Sequence, residues 1–268
     1  MTRPLLHPPC PGWAEDLTLP TEPPKTSLSL GGITPNHVDH IYLETPRKTT
    51  SLRNLLFLMT LCMALVGLAL PIILAISISS GYLGASALLG VVSTCYIWCV
   101  IYGLKLSIFP PRDEPIRFNR ARKKIYAYNY VYNWWNPLEK SRITPVTYDW
   151  SQVRAERWSQ RGALPNGGLI FKCGVVLSII RPGTNHVIDR FQLTTMGADE
   201  YAWAYICAYM QEGPSALPPA GEPKDHNDLL WCQFASRLAP KVAWPPEMDI
   251  ESRTAPASEQ LHSSSDCR

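Results

Sequence analysis

The sequence predicts an α+β protein that carries a hairpin of two transmembrane helices. Three observations lead to this fold class. Residues 54–104 contain no Asp, Glu, Lys, Arg or His, an uncharged run of 51 positions. Several stretches after residue 109 alternate apolar and polar side chains, as half-buried strands do. Two later stretches repeat apolar residues at helical spacing, so helices follow the strands.

Residues 1–52 hold nine of the 25 prolines and show no sustained apolar periodicity. Such a composition is typical of segments that bury too little apolar surface to fold alone. We therefore predict a disordered, proline-rich N-terminal arm over residues 1–52. Its stretch PPCPGW, residues 8–13, would either anchor the arm on the folded domain or dock to a partner, and both alternatives stay open.

The uncharged run is too long for one transmembrane helix. A single helix over it would measure about 76 Å, against a hydrocarbon core of about 30 Å. We predict a transmembrane hairpin at 53–106, with helices at about 55–76 and 82–105. Pro71 lies inside the first helix and is expected to kink it.

Small side chains recur every four residues in the second helix, at Ser86, Gly90 and Thr94. Small residues at this spacing let helices approach closely in a membrane. We expect this face to pack on the first helix, with self-association into a homo-oligomer as the alternative.

The flanking charges predict the orientation of the hairpin. Arg47, Lys48 and Arg53 precede it, and seven basic residues follow it between 105 and 124, whereas the connecting turn is uncharged. The positive-inside rule then puts both termini in the cytoplasm. The eight cysteines include no C-x-x-C pair, which suits a reducing compartment.

Residues 109–244 are predicted to form one cytoplasmic α+β domain with an antiparallel sheet. The stretch PIRF pairs with KIYAYNYVY across a turn at 119–122, and four tyrosines at spacing two share one face of that second strand. A pleckstrin-homology-like module is an analogy for this order of elements.

Two helices should close the domain. The pattern predicts the first over 197–214 and the second over 225–240. The polar tail at 245–268 is predicted to be disordered.

A basic cluster at the first turn of this domain is the main candidate site. It consists of Arg117, Arg120, Arg122, Lys123 and Lys124, for which we expect contact with lipid headgroups or with a protein partner. Nucleic acid is not expected as a ligand, because residues 105–124 carry a net charge of +5 (seven basic, two acidic) but residues 199–266 carry −7 (four basic, eleven acidic).

No catalytic or metal site is predicted. Cys173, His186 and Asp189 fall on one predicted hairpin, but Cys173 lies in an apolar run typical of a core cysteine. His226 lies near the start of a predicted helix, where the neighbouring Asp residues read as caps. No phosphate loop, zinc spacing or hydrolase motif occurs. We therefore expect a protein that is not an enzyme and needs no cofactor.

The stretch FPPRDEPIRFNRARKKIYAY, followed by DRFQLTT and AYICAYMQEGP, resembles a family of uncharacterised proteobacterial membrane proteins. The resemblance covers about residues 109–213 and the uncharged hairpin. It implies two transmembrane helices, a bacterial inner-membrane location and a cytoplasmic domain of unknown function. It also implies a place among the accessory proteins of type VI secretion and antibacterial toxin loci.

The function that we expect is non-enzymatic protein binding at the inner membrane, as an immunity or accessory protein whose partner is a toxin or a secretion component. The alternative is a lipid-sensing module that uses the basic hairpin at 117–124.

Overall fold

A computed structural model describes the chain at residues 3–31, 33–47, 50–133, 135–136, 138–163, 168–193, 200–219, 221–225 and 227–256. Across these ranges the chain is α+β, with six α-helices and nine strands. The strands are β1 (Trp13–Asp16), β2 (His37–Val38), β3 (Tyr42–Thr45), β4 (Ile116–Asn119), β5 (Lys124–Val131), β6 (Arg142–Asp149), β7 (Val153–Ala163), β8 (Leu169–Ile180) and β9 (Val187–Gln192). The helices are α1 (Thr50–Gly67), α2 (Leu70–Ser79), α3 (Leu83–Ile108), α4 (Glu200–Glu212), α5 (Phe234–Leu238) and α6 (Pro246–Arg253).

The uncharged run forms a helical hairpin, which confirms the prediction of two long apolar helices. The stretches Leu52–Ser79 and Leu83–Ile108 are long and apolar enough to cross a membrane. The first is broken between α1 and α2, just before Pro71, as expected for a residue that cannot donate a helical hydrogen bond. At 26 residues, α3 is about 39 Å long.

The hairpin is inserted between two neighbouring strands of one sheet. Strand β3 precedes it, β4 follows it, and the two pair antiparallel, with Thr45 opposite Ile116. Arg47 closes the junction: its backbone N–H donates to Asp113 Oδ1 at 3.0 Å and its guanidinium donates to Tyr128 O at 2.7 Å. The hairpin therefore leaves the sheet and returns to it at adjacent positions.

Two antiparallel sheets form the domain, with orders β2-β3-β4-β5-β6 and β1-β7-β8-β9. Along β5, the side chains alternate between the two faces of the sheet, as the sequence predicts. Ile125 and Ala127 join the central core, whereas Tyr126 and Tyr128 face the other way and pack with Trp244. The five-stranded sheet is thus covered on both faces.

Helix α4 confirms the first predicted C-terminal helix, although its expected start at 197–199 lies outside the described residues. It fills the central core with Trp203, Ile206, Cys207 and Met210, all almost fully buried. Nine consecutive residues of this helix are buried, so it is a core helix rather than a surface helix.

Three segments differ from the sequence prediction: the N-terminal arm, the second C-terminal helix and the C-terminal tail. The supposedly disordered arm contributes β1, β2 and β3 and buries Leu6, Leu30 and Leu43. Composition does not reveal this order, because β1 and β3 gain hydrogen bonds from the distant strands β7 and β4, and β2 then pairs with β3. The two C-terminal predictions also change: the helix expected at 225–240 shrinks to the five residues of α5, and the tail expected to be disordered contains α6. Pro246 at the start of α6 and acidic residues in its first turn are ordinary signals for a helix N-terminus.

Candidate functional site

The structure corrects the role expected for Arg117, which is buried inside the chain. Its exposed fraction is 1%, and its guanidinium donates to the carboxylate of Glu44 and, at 2.6 Å, to Asp249 Oδ1. The same group donates to Ser252 Oγ at 2.8 Å and lies 4.5 Å from the centre of the Trp244 ring. Arg117 therefore ties α6 to the outer face of the five-stranded sheet and is not accessible to a lipid or a partner.

The other four basic residues of the cluster also make contacts within the chain. Lys124 Nζ lies 2.6 Å from Glu251 Oε1, Arg122 Nε donates to Thr254 O at 2.8 Å, and Lys123 Nζ donates to Met210 O at 2.6 Å. The guanidinium of Arg120 lies beside Gly213, where a Cβ atom would come within 3.3 Å of its Cζ. Three of these side chains thus bond to the end of α4 or to the C-terminal segment.

The position of this cluster also argues against contact with a bilayer. Strand β5 runs from Lys124, at the turn, to Val131, whose following loop contacts the base of the hairpin through Lys105. Seven residues of strand separate these ends by about 23 Å. The turn and the end of β5 that adjoins the base of the hairpin are thus more than two Debye lengths apart, since that length is about 8 Å at physiological salt.

A polar cavity of about 420 Å³ adjoins Arg117. Its walls include Asn36, His37, Tyr42, Glu44, Arg117, Asp225, Asn227, Trp244, Asp249 and Arg253. His37 Nε2 lies 2.9 Å from Asp39 Oδ2, and the His37 ring stacks on Tyr42 at 4.2 Å. Burial alone would raise the pKa of Asp39, but hydrogen bonds from His37 and from two backbone N–H groups outweigh it, and the pKa is lowered.

Charged side chains of this cavity pair with one another. Among the described residues of its walls there is no Ser, Thr, Cys or Lys. The carboxylates of Glu44 and Asp249 accept from Arg117, and Arg253 Nε lies 3.1 Å from Asp249 Oδ1. The arrangement is that of an ion-pair network that fixes α6 against the sheet.

The residues considered for catalysis do not come together. Asp189 is paired with Ile179 on β8, six residues along the strand from Cys173, a separation of about 20 Å. Asp189 instead accepts a 2.7 Å hydrogen bond from the Tyr148 hydroxyl, and that contact, after burial, raises the pKa of Tyr148. Within the described ranges, no group of three or more His, Cys, Asp or Glu side chains is placed to hold a metal ion. His226 lies outside the described residues.

The stripe of small residues on α3 is only partly a packing surface. Ser86 is buried, and its Oγ lies 3.0 Å from Ser77 Oγ. Gly90 and Thr94 instead line an apolar cavity of about 560 Å³ beside the Pro71 break, and a Cβ at Gly90 would meet nothing within 4 Å. The tight approach lies at Gly103, where a Cβ would come within 2.9 Å of Thr60 Cγ2.

The strands β7 and β8 extend beyond their neighbours and form a two-stranded projection. Strand β1 pairs with β7 only as far as Trp158, and β9 pairs with β8 only from Val176. We call residues 159–163 and 169–174 the β7–β8 tip. In the described part of the sheet, the strand pairing of the tip is between β7 and β8 alone, and Ser159 N–H also donates to Gly12 O at 2.8 Å.

The tip also exposes apolar side chains. The first five residues of β8 are exposed, and they include Leu169, Phe171 (62% exposed) and Cys173. The guanidinium of Arg161 lies 5.5 Å from the centre of the Phe171 ring. The interpretation of Cys173 as a core residue is wrong, because its side chain is exposed. A signal was present in strand length, since 11- and 12-residue strands exceed what short neighbours can cover.

Comparison with known proteins identifies a family of unknown function. No curated protein and no solved structure matches the chain. The model of a family of unknown function (DUF6708) matches residues 93–237, just over half of the 268 residues, from within α3 into α5. The expectation of a family with unknown function is confirmed, and the chain belongs to this family.

Proposed function

We propose that this protein is a non-enzymatic membrane protein whose cytoplasmic α+β domain binds a protein partner through the β7–β8 tip. The single observation that carries the proposal is the tip itself, a hairpin with exposed apolar side chains that pairs with no third strand among the described residues beyond Trp158 and Val176.

The exposure of the hairpin helices supports the membrane anchor. In the most apolar 18-residue windows of the two helices, 0% and 6% of the residues are buried. A core helix of a soluble protein would bury an apolar stripe against its neighbours. Uncharged helices of this length with exposed side chains match the solvation that a bilayer provides.

The β7–β8 tip supports protein binding because of its edges and its side chains. Unpaired strand edges accept an added strand from another chain, and proteins usually protect such edges. Here the edges at 160–163 and 169–174 carry exposed Leu169 and Phe171 beside two charged residues, Arg161 and Lys172, and no proline. Edge pairing would supply main-chain hydrogen bonds, and the apolar side chains would supply specificity.

The finer proposals concern place and partner. The basic residues that flank the uncharged run favour both termini in the cytoplasm, and the bacterial inner membrane is the proposed location. The proposed partner is a toxin or a secretion component, which this immunity or accessory protein would occlude or position. The pleckstrin-homology-like architecture stays a prediction.

Co-purification tests the proposal. The full-length protein is extracted from membranes together with the co-expressed product of the adjacent gene, as wild type and as the double variant Leu169→Glu/Phe171→Glu. We expect the variant to lose the partner, because two charges would have to be desolvated at the interface. Protection of cells from a toxic partner should be lost in parallel.

The matched control is Ile188→Glu, an exposed aliphatic residue on β9 at the other end of the same sheet. It introduces one charge of the same sign outside the tip and should leave binding unchanged. Absence of binding and of protection in the wild type would refute the partner proposal. Equal binding by the tip variant would refute the role of the tip.

A further inference from the structure

The loop between β5 and β6 exposes apolar side chains where the hairpin leaves the domain. Leu138 and Trp135 are each 73% exposed, and Val131, Tyr132 and Ile143 are also exposed at the two strand ends. We call these residues the loop patch. Lys105, near the end of α3, fixes the loop by donating from Nζ to Asn136 O at 3.2 Å and to Glu139 O at 2.5 Å.

The segment around α5 exposes a second group of apolar side chains. Trp231 is 77% exposed, and Leu230, Phe234 and Leu238 are more than half exposed. We call these four residues the α5 patch. Asn54, near the start of α1, fixes this segment, since its Oδ1 accepts from Ala235 N at 3.0 Å and its Nδ2 lies 3.4 Å from Ser236 Oγ.

The two patches lie at the same level along the hairpin. Arg53 and Ser107 mark that level, because Arg53 Nε donates to Ser107 O at 2.6 Å. Asn54 and Lys105 each lie within two residues of this contact along their helices. The loop patch is therefore held by α3 and the α5 patch by α1, and both adjoin the base of the same apolar hairpin.

Exposed basic side chains accompany both patches. Lys140 and Arg142 follow the loop patch, and Arg237 and Lys241 accompany the α5 patch. Aromatic and aliphatic side chains bordered by Lys and Arg are typical of segments in the headgroup region of a bilayer. The acidic side chain beside them in the loop, Glu139, lies 2.7 Å from Asn133.

We propose that the loop patch and the α5 patch insert into the headgroup region of the bilayer around the hairpin and seat the domain on the membrane. The inference rests on the proposed membrane anchor, because the occupant is argued from continuity with the hairpin. The two insertions beside the base of the hairpin would add to the anchor and fix the face that the domain presents to the cytoplasm.

Site-specific photocrosslinking in membranes tests this seating. The full-length protein is made with p-benzoylphenylalanine in place of Leu138 or Trp231, with Trp135 and Phe234 as second positions in the same patches. Leu88, 67% exposed in the middle of α3, is the reference inside the hairpin, and Phe171 on the β7–β8 tip is the reference away from it. After irradiation, the intact mass of the purified protein reports lipid adducts. Each variant must keep the wild-type melting temperature in detergent.

We expect lipid adducts at positions 88, 138 and 231 and none at 171. Adducts at 88 without adducts in either patch would overturn the seating and leave the anchor intact. Crosslinks from the patches to a second copy or to another protein would also overturn it. Absence of lipid adducts at 88 would refute the anchor, and the seating would fall with it.

Discussion

Replacing Arg117 by Met should destabilise the domain more than replacing any exposed arginine. The substitution keeps the apolar part of the side chain but removes the positive charge. Glu44 is 3% exposed and Ser252 is fully buried, and both would lose a hydrogen bond from a charged donor, whereas Glu44 keeps its bond from Asn36 and Ser252 its bond to Asp249 O. Asp249 is partly exposed and would be resolvated at lower cost.

The expected magnitude follows from the burial of the pair. Removing one partner of a buried ion pair costs about 3–5 kcal/mol, because the remaining charge is left without compensation. For a domain of this size, about 1 kcal/mol shifts the melting temperature by about 2–4 °C. The melting temperature of the full-length protein in detergent, followed by tryptophan fluorescence, should therefore fall by about 10 °C.

Two variants make this prediction refutable. Arg181→Met removes an exposed charge at the β8–β9 turn and should have little effect. The double variant Arg117→Met/Glu44→Leu removes both buried charges and should regain part of the lost stability. If the Arg117→Met and Arg181→Met variants have the same melting temperature, Arg117 does not hold α6 against the sheet as the structure indicates.

Three further predictions follow from burial, charge and packing. Burial raises the pKa of the Cys10 thiol to about 12, so Cys10 should resist a maleimide at neutral pH until the protein is denatured, whereas exposed Cys173 should react at once. Mass spectrometry of the labelled peptides measures both reactions, and equal labelling of the two cysteines would contradict the prediction. The hydrogen bond from Lys124 is the largest cause of the lowered pKa of Glu251 in the folded protein. This ion pair therefore stabilises the fold above pH 4.5, the ordinary pKa of Glu, and the stabilisation is lost as the pH falls through the lower pKa of the folded state. Melting temperatures of wild type and Lys124→Met should thus converge in acid, and a constant difference would refute the coupling. Gly103→Leu should force α1 and α3 apart and lower the melting temperature, whereas the control Gly90→Leu has room and should not; equal effects would contradict the packing.

Sequence alone predicted the elements whose signal is local. The uncharged run, the β4–β5 hairpin, the alternation along β5 and the helix that became α4 each depend on periodicity within one stretch. The order of strands and then helices also predicted the α+β class. These features repeat a short-range pattern that no distant contact reverses.

The elements that sequence missed depend on distant contacts. Strand β1 exists because β7 accepts it at Trp158, and β3 exists because β4 returns beside it after the hairpin. The arm is held further by the buried carboxylate of Glu156, which accepts from Cys10 N at 3.0 Å and from Ser178 Oγ. No pattern within residues 1–52 contains this information.

The prediction that the basic cluster contacts headgroups takes distance along the chain as distance in space. Residues 117–124 follow the hairpin closely in sequence, and β4 carries the chain away from the hairpin before β5 brings it back. The β4–β5 turn therefore lies at the end of the sheet remote from the hairpin, where its charges bond to α4, α6 and the segment after α6.

Basic residues at the base of the hairpin, rather than those in the β4–β5 turn, connect the hairpin to the domain. Arg53 and Lys105 donate hydrogen bonds to backbone carbonyls at the junction, and Arg47 donates to the backbone carbonyl of Tyr128 on β5. Burial between these carbonyls lowers the pKa of the Arg47 guanidinium, although Glu114 and Asp113 act in the opposite direction. Charges that bond to the chain on both sides of the hairpin couple its two ends to the sheet. A force on the hairpin would therefore reach β3 and β4 directly, and through their pairing the face that α6 covers.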